Sequence, residues 1–492
     1  MIPTRLAPVR AQRGRPAYPG AALVTLFSTA TALLAGCTAP APAPAPPAPP
    51  APTSAPAAAP DARAAAVARI FDEALREERA WSLLAELVHE APKRLAGSDG
   101  DARAVLWAER TLRAAGLERV RLQPVTVPHW ERGDVERCEL LGEGGGPLAI
   151  RALGGSVATP AGGLAAGVLR VTSFDELAAR SAEARGRFVF FDRPLDRTRA
   201  DPFEAYGRAV DQRSRGAIEA ARHGAVGALV RSMTMARDDA PHTGAMRYDP
   251  AVPEVPAAAL GVLSAERLAA RLAEEPDARV RLELACRTFP DAQSWNVIGE
   301  LLGSELPEEI VLVGAHLDSW DVGVGAHDDG AGCVHAIEAA RLLLELGLRP
   351  RRTVRVVLFA NEENGLRGGL AYRDGHLAEL PRHVFALESD RGGFTPRGFQ
   401  TDAGPELFAR LVGAARLLEP YGAGMVRPGG GGADIGPLAA HGVPLAQFVP
   451  DAARYFDVHH ADTDVLAAVH PRELALGAAA IAALVWCVAD AP

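Results

Sequence analysis

The sequence predicts an α/β protein: from about Ser294 onward it reads as a sheet of buried parallel strands flanked by helices, with another α/β segment before it. Three observations carry this reading. Ile310-Val-Leu-Val-Gly-Ala315 and Val354-Arg-Val-Val-Leu-Phe-Ala360 are nearly continuous apolar runs, the texture of strands covered on both faces. Between them, Gly332 to Leu346 repeats apolar residues at the spacing of a helix. Strand, helix, strand in that order is the unit from which parallel sheets are assembled.

From the N-terminus, Arg5, Arg10, Arg13 and Arg15 followed by the apolar run Ala21 to Leu34 read as an export signal. Leu34-Ala-Gly-Cys37 resembles a bacterial lipobox, which implies residues 1–37 as a lipoprotein signal and a membrane anchor by lipid at Cys37. Thr38 in place of aspartate then points to the bacterial outer membrane, with the protein facing the periplasm. The apolar run is shorter than the ~20 residues of a membrane span. Residues 38–60 are almost wholly Ala and Pro and read as a semi-rigid tether. Val67, Ile70, Phe71 and Leu75, then Leu83, Leu84, Leu87 and Val88, mark amphipathic helices between Ala62 and about Leu117.

Val125-Thr-Val127 and Cys138-Glu-Leu-Leu141 read as strands. Within 140–288, short strands at Val168 to Val171, Phe188 to Phe191 and Val226 to Val230 alternate with helices, and no catalytic motif stands out. Val384 to Leu387 and Leu445 to Val449 are further strands, and Pro471 to Val488 a closing helix. The expected division is 1–37, 38–60, 61–139, 140–288 and 289–492. A chain of 492 residues suits two or three folded units. Its net charge of -9 argues against nucleic acid as the partner, since phosphate binding needs a basic face. Cys138, Cys286, Cys333 and Cys487 lack metal-site spacing; export would permit disulfides, and buried thiols or one structural bridge, Cys138 with Cys286, is the expectation.

In open α/β sheets ligands gather beyond the carboxyl ends of the strands. His316 and Asp318 follow the first apolar run directly, and Asp328 with Asp329 opens the next helix. Glu362 and Glu363 follow the second run, Asp390 the third, and His459 and His460 lie in the loop beyond the fourth. Singly, a His-x-Asp pair is ordinarily a surface hydrogen bond, and Asp-Asp-Gly a helix cap. Together on one rim these carboxylates would repel one another unless cations joined them. Imidazole and carboxylate donors suit zinc, and five of them suffice for two Zn2+ ions that share a bridging carboxylate.

The blocks His316-Leu-Asp-Ser-Trp-Asp-Val322, Ala326-His-Asp-Asp-Gly330 and Ala360-Asn-Glu-Glu-Asn-Gly365 resemble the co-catalytic zinc exopeptidases of family M28. Ala152-Leu-Gly-Gly-Ser156, Val171-Thr-Ser-Phe-Asp-Glu-Leu177, Pro241-His-Thr-Gly244 and Gly347-Leu-Arg-Pro350 are similar to its carboxypeptidase Q branch. The resemblance implies a phosphorylase/hydrolase-like mixed sheet with a protease-associated (PA) insertion at 140–288. It implies that Asp328 bridges two zinc ions, with Glu363 and His460 completing one and His316 and Asp390 the other. It makes Glu362 the general base, Asp318 the partner of the far nitrogen of His316, and the Asp328–Asp329 peptide cis. His460 is taken as the ligand because Asp464 stands four positions after it, where relatives carry an acid; His459 becomes the oxyanion donor. A homodimer and a short peptide substrate are further implications. Dipeptidase, carboxypeptidase and aminopeptidase chemistries stay open, as does a non-catalytic receptor-like module or a glutaminyl-cyclase-like transferase.

Overall fold

Strands with no solvent-facing side need an apolar residue at nearly every position, and four such strands form the centre of the larger, mainly C-terminal sheet. In spatial order they are Arg352–Phe359, Leu306–His316, His383–Glu388 and Leu445–Pro450, all mutually parallel. Arg287–Leu301 lies antiparallel to the first, and Glu118–Glu131 antiparallel to Arg287–Leu301. Beyond Leu445–Pro450 the sheet continues with antiparallel Pro396–Thr401 and then Met425–Pro428. The result is an eight-stranded mixed sheet. The sequence reading caught its parallel centre and little of its antiparallel margins, whose outer halves are partly exposed and lack a continuous apolar run.

The computed structural model describes residues 62–492. The export signal, Cys37 and the Ala/Pro tether lie outside the described residues. Helix Ala331–Glu345 packs on the closing helix Pro471–Ala489, which also touches Ala62–Arg76 and Arg79–Glu90. Ile337, Leu342, Ile481 and Leu484 are fully buried at this layer, each contributing roughly 1.5–3 kcal/mol by leaving water. Pro471–Ala489 is long and apolar enough to cross a membrane, yet here it is a core helix, buried along most of its length. Tyr372 on Arg367–Gly375 and Phe359 pack on the sheet's other face.

A second eight-stranded sheet is drawn from 136–284. Its parallel part runs Leu164–Val171, Phe188–Phe191, Gly227–Arg231 and Ala257–Leu260, with antiparallel strands at both margins. The Cys138–Cys286 bridge does not form: both cysteines are buried thiols. Register explains this. Cys138 sits opposite Leu282, and Ala285 still donates to the Val135 carbonyl. Cys286 therefore lies four residues along, on the order of 13 Å away at ~3.3 Å per residue, out of disulfide reach.

Candidate metal centre and active-site cavity

Each residue singled out at the strand ends comes from a separate element, and the sheet brings them to one rim. His316 is the last residue of its strand. Asp328 sits in the turn Ala326–Gly330 that leads into helix Ala331–Glu345, and its peptide bond to Asp329 is cis. Glu362 and Glu363 lie in the turn after Arg352–Phe359, Asp390 two residues beyond His383–Glu388, and His459 and His460 just past Tyr455–Val458.

Asp328 lies at the middle. Its Oδ1 is 3.2 Å from His316 Nε2, which in turn is 3.6 Å from Asp390 Oδ1. Its Oδ2 is 3.4 Å from His460 Nε2, which is 3.1 Å from Glu363 Oε2. The two oxygens of one carboxylate thus face two different sets of donors. His459 stacks on His460 with ring centroids 3.6 Å apart, and its Nε2 stands 3.9 Å from Asp328 Oδ2. Of the two histidines His460 is nearer Asp328 and alone within ion-pair distance of Glu363.

The donors fit metal ions. Asp328 Oδ2 and Glu363 Oε1 are buried without a hydrogen-bond partner, a costly state for a carboxylate unless a cation meets it. Burial, then the Asp328 charge, pushes the Glu363 carboxyl well above its usual range. Burial also opposes a charged His316, yet Asp328 and Asp390 push its pKa well up, as an acidic nest does to the nearest proton acceptor. Imidazole nitrogens and carboxylate oxygens at these separations are the donor set of zinc.

Supporting contacts fix the donors. His316 Nδ1 faces the Asp318 carbonyl oxygen at 3.0 Å, the nearest Asp318 carboxylate oxygen lying 3.7 Å off. The carboxylate instead accepts from the Glu362 and Glu363 amides, at 2.9 and 3.4 Å, and so shapes the turn that carries both glutamates. Asp464 accepts from the amides of His327 and Asp328. His327 itself lies flat on Phe394, with its ring nitrogens at Gly393 N and the Ala468 carbonyl, and stays out of the donor set.

The stretch Pro241-His-Thr-Gly244, in the segment where the sequence showed no catalytic motif, holds the histidine pair. His242 Nδ1 is 2.6 Å from the His459 carbonyl, and Thr243 N donates to the His460 carbonyl at 2.9 Å. These bonds secure His460 at a φ of 60°, a left-handed conformation unfavourable for a histidine. Gly244 has no room for a side chain: a Cβ there would meet the Arg213 guanidinium and His460 Nδ1.

A cavity of about 590 Å³ opens over the donors. Glu362 lines it, with its carboxyl pushed up to about 8 by burial and by the charges of Asp390, Asp318 and Asp328. Phe203, Tyr206, Tyr455 and Phe456 form an aromatic wall, Phe203 and Tyr206 coming from the second sheet's segment and stacking on the other two. Arg213, also from that segment, is buried beside His460, its Nη1 3.2 Å from Nδ1 and its Nε without a partner. Arg247 and Arg367 are exposed at the cavity. Sequence reasoning missed Arg213 and the wall, which carry no local spacing signal. The glycine run Gly429 to Gly432 does not line the cavity, Gly432 being pressed against the Glu388 carboxylate.

Comparison with known proteins agrees with this geometry. The description "Peptidase family M28" matches residues 296–485, which hold every donor named above. Human carboxypeptidase Q is 38% identical over 427 residues, covering 87% of this chain and 89% of its own, and that of Xenopus laevis is 38% identical over 414 residues, covering 84% and 86%. A peptidase M28 precursor from Shewanella amazonensis superposes with a TM-score of 0.84 at 38% identity, covering 87% of this chain and 97% of that one. The zinc aminopeptidase of Bacillus subtilis shares the fold at a TM-score of 0.61 and 21% identity, covering 84% and 95%. With its donors at the strand ends and its likeness running through both sheets, the chain belongs to peptidase family M28.

Proposed function

We propose that this M28 peptidase is a two-zinc exopeptidase that cuts dipeptides or short peptides next to a free carboxylate end. Asp328 would hold the two ions between them, with Glu363 and His460 on one side and His316 and Asp390 on the other. Bound there, zinc would polarise the scissile carbonyl and acidify the attacking water. Glu362, which lines the cavity beside the donors, takes the proton from that water and delivers it to the leaving amine. His459, neutral because burial drives its pKa down to about 3, donates its ring N–H to the oxyanion. The 136–284 segment acts as the protease-associated insertion and closes one wall. Export on a lipid at Cys37 would hold the enzyme at the cell envelope.

One observation carries the choice of peptide end. Every carboxylate lining the cavity (Asp328, Glu362, Glu363, Asp390) is committed to metal or to proton transfer, leaving none for an α-ammonium group. Among the cations, Arg213 donates from Nη1 to the Thr243 carbonyl at 3.4 Å and keeps its buried Nε without a partner. With Nε2 of His460 turned to the donors, its Nδ1 carries the proton toward the Thr243 carbonyl at 3.3 Å and cannot accept from Arg213. Arg213 is then left to meet a substrate carboxylate. The test is hydrolysis of a free dipeptide, its N-acetyl form and its C-amide, each with zinc and with chelator. Amidation should abolish cleavage, and Arg213→Met should raise KM for the free dipeptide with little change in kcat. Cleavage lost on acetylation and kept on amidation would establish an aminopeptidase instead.

A further inference from the structure

The loop from Leu317 to Gly325 joins His316 to the turn bearing Asp328, and so sets the distance between a donor of one metal position and the bridge. It contains no helix or strand, yet must hold two donor atoms 3.2 Å apart. Arg94, between helices Arg79–Glu90 and Asp99–Ala114, grips both ends of it. Nε donates to the Leu317 carbonyl at 2.7 Å, Nη1 to Val324 at 2.6 Å and Nη2 to Gly325 at 2.8 Å. The Arg94 carbonyl in turn accepts from Ser319 N at 3.4 Å.

This is an expensive arrangement for a merely structural contact. Arg94 is fully buried, and among the described residues no carboxylate lies within ion-pair distance of it. A buried guanidinium hydrogen-bonded to carbonyl oxygens, with the Asp318 and Asp464 charges acting from beyond contact, recovers its lost hydration less completely than one in contact with a carboxylate. What it gains is direction: a planar fork aims its N–H bonds at fixed angles, which a lysine ammonium cannot. The local chain is shaped to deliver it. Lys93 adopts a φ of 54°, and Gly100 lies so close under the Lys93 carbonyl that a Cβ there would collide.

We propose that Arg94 is a positioning residue that sets the His316–Asp328 spacing before any metal arrives. The proposal rests on the metal-site reading above, and its test separates the two. Hydrogen exchange would be followed across residues 317–330 of the full-length protein stripped of metal by chelator, where Val324 N bonds the Asp464 carbonyl and Gly330 N that of Gly325. These amides should be protected in the metal-free wild type nearly as well as with zinc present. In Arg94→Lys they should exchange about tenfold faster with the strand Leu306–His316 unchanged, and zinc affinity by chelator competition should fall roughly 10–100-fold. Methylguanidinium should restore part of the affinity to Arg94→Ala. A loop that becomes protected only when zinc is added would overturn the proposal, as would wild-type zinc affinity in folded Arg94→Lys. Because the exchange of the metal-free wild type needs neither a variant nor bound zinc, it reports on the clasp even if the metal-site reading fails.

Discussion

Adjacent glutamates can serve as base and ligand only if their surroundings differ. The Glu363 carboxylate is buried against His460, whereas Glu362 faces the cavity and is held near the site by the hydrogen bond its backbone N–H donates to the Asp318 carboxylate. Glu362→Gln keeps the shape and removes the proton acceptor. Its kcat should fall by about 10²- to 10⁴-fold, with zinc content by elemental analysis unchanged. Asp101 is a second informative carboxylate. It accepts from Gly97 N and Ser294 Oγ, but burial dominates and pushes its pKa up to about 7. The folded state therefore binds the extra proton between the ordinary aspartate value of 3.8 and about 7, so this group's contribution to stability falls as pH rises through that window. Asp101→Asn does not titrate. The Tm difference between variant and wild type should shift in the variant's favour from pH 4 to pH 8, and a pH-independent difference would show that Asp101 stays ionised. Among single residues, the candidate donors and Glu362 were singled out because they lie at the ends of the apolar strands or in the turns and loops beyond them, on the rim where the sheet gathers ligands. Arg94 and Arg213 were not, since each acts on residues more than 200 positions away in a chain where arginine supplies most of the positive charge.

Among elements, those buried on all sides were the readable ones. The expected helix Gly332 to Leu346 forms as Ala331–Glu345, and the closing helix as Pro471–Ala489, because their apolar content leaves no alternative to the core. The Pro241–Gly244 stretch was noticed as a string without a role, and geometry supplies one: its backbone and His242 hold the His459–His460 pair in a strained turn. Gly244 is the most sensitive point, since its φ of 132° and the adjacent Arg213 and His460 side chains leave no place for a Cβ. Gly244→Ala should displace His460, weakening one zinc by about tenfold or more in chelator titration while circular dichroism shows the fold retained. Undiminished affinity for both ions would mean that the strap does not hold the histidine.

At the scale of the whole molecule, two sheets share one cavity. The catalytic sheet supplies the donors and the base, and the 136–284 segment supplies Arg213, Tyr206 and Phe203. A segment that showed no catalytic motif in sequence thus forms one wall of the cavity, because a wall needs only shape and one cation. The antiparallel margins escaped the sequence reading for a related reason: strands with a partly exposed face show no continuous apolar run. The account as a whole turns on Asp328 serving two metal ions at once, one at each carboxylate oxygen. The most direct measurement is anomalous diffraction at the zinc edge from crystals of the zinc-loaded protein. Two peaks should flank Asp328 at ~3.5–4 Å from each other, one beside His316 and Asp390 and one beside Glu363 and His460. A single peak with crystals grown in excess zinc would contradict the bridged pair and leave a one-metal site in its place.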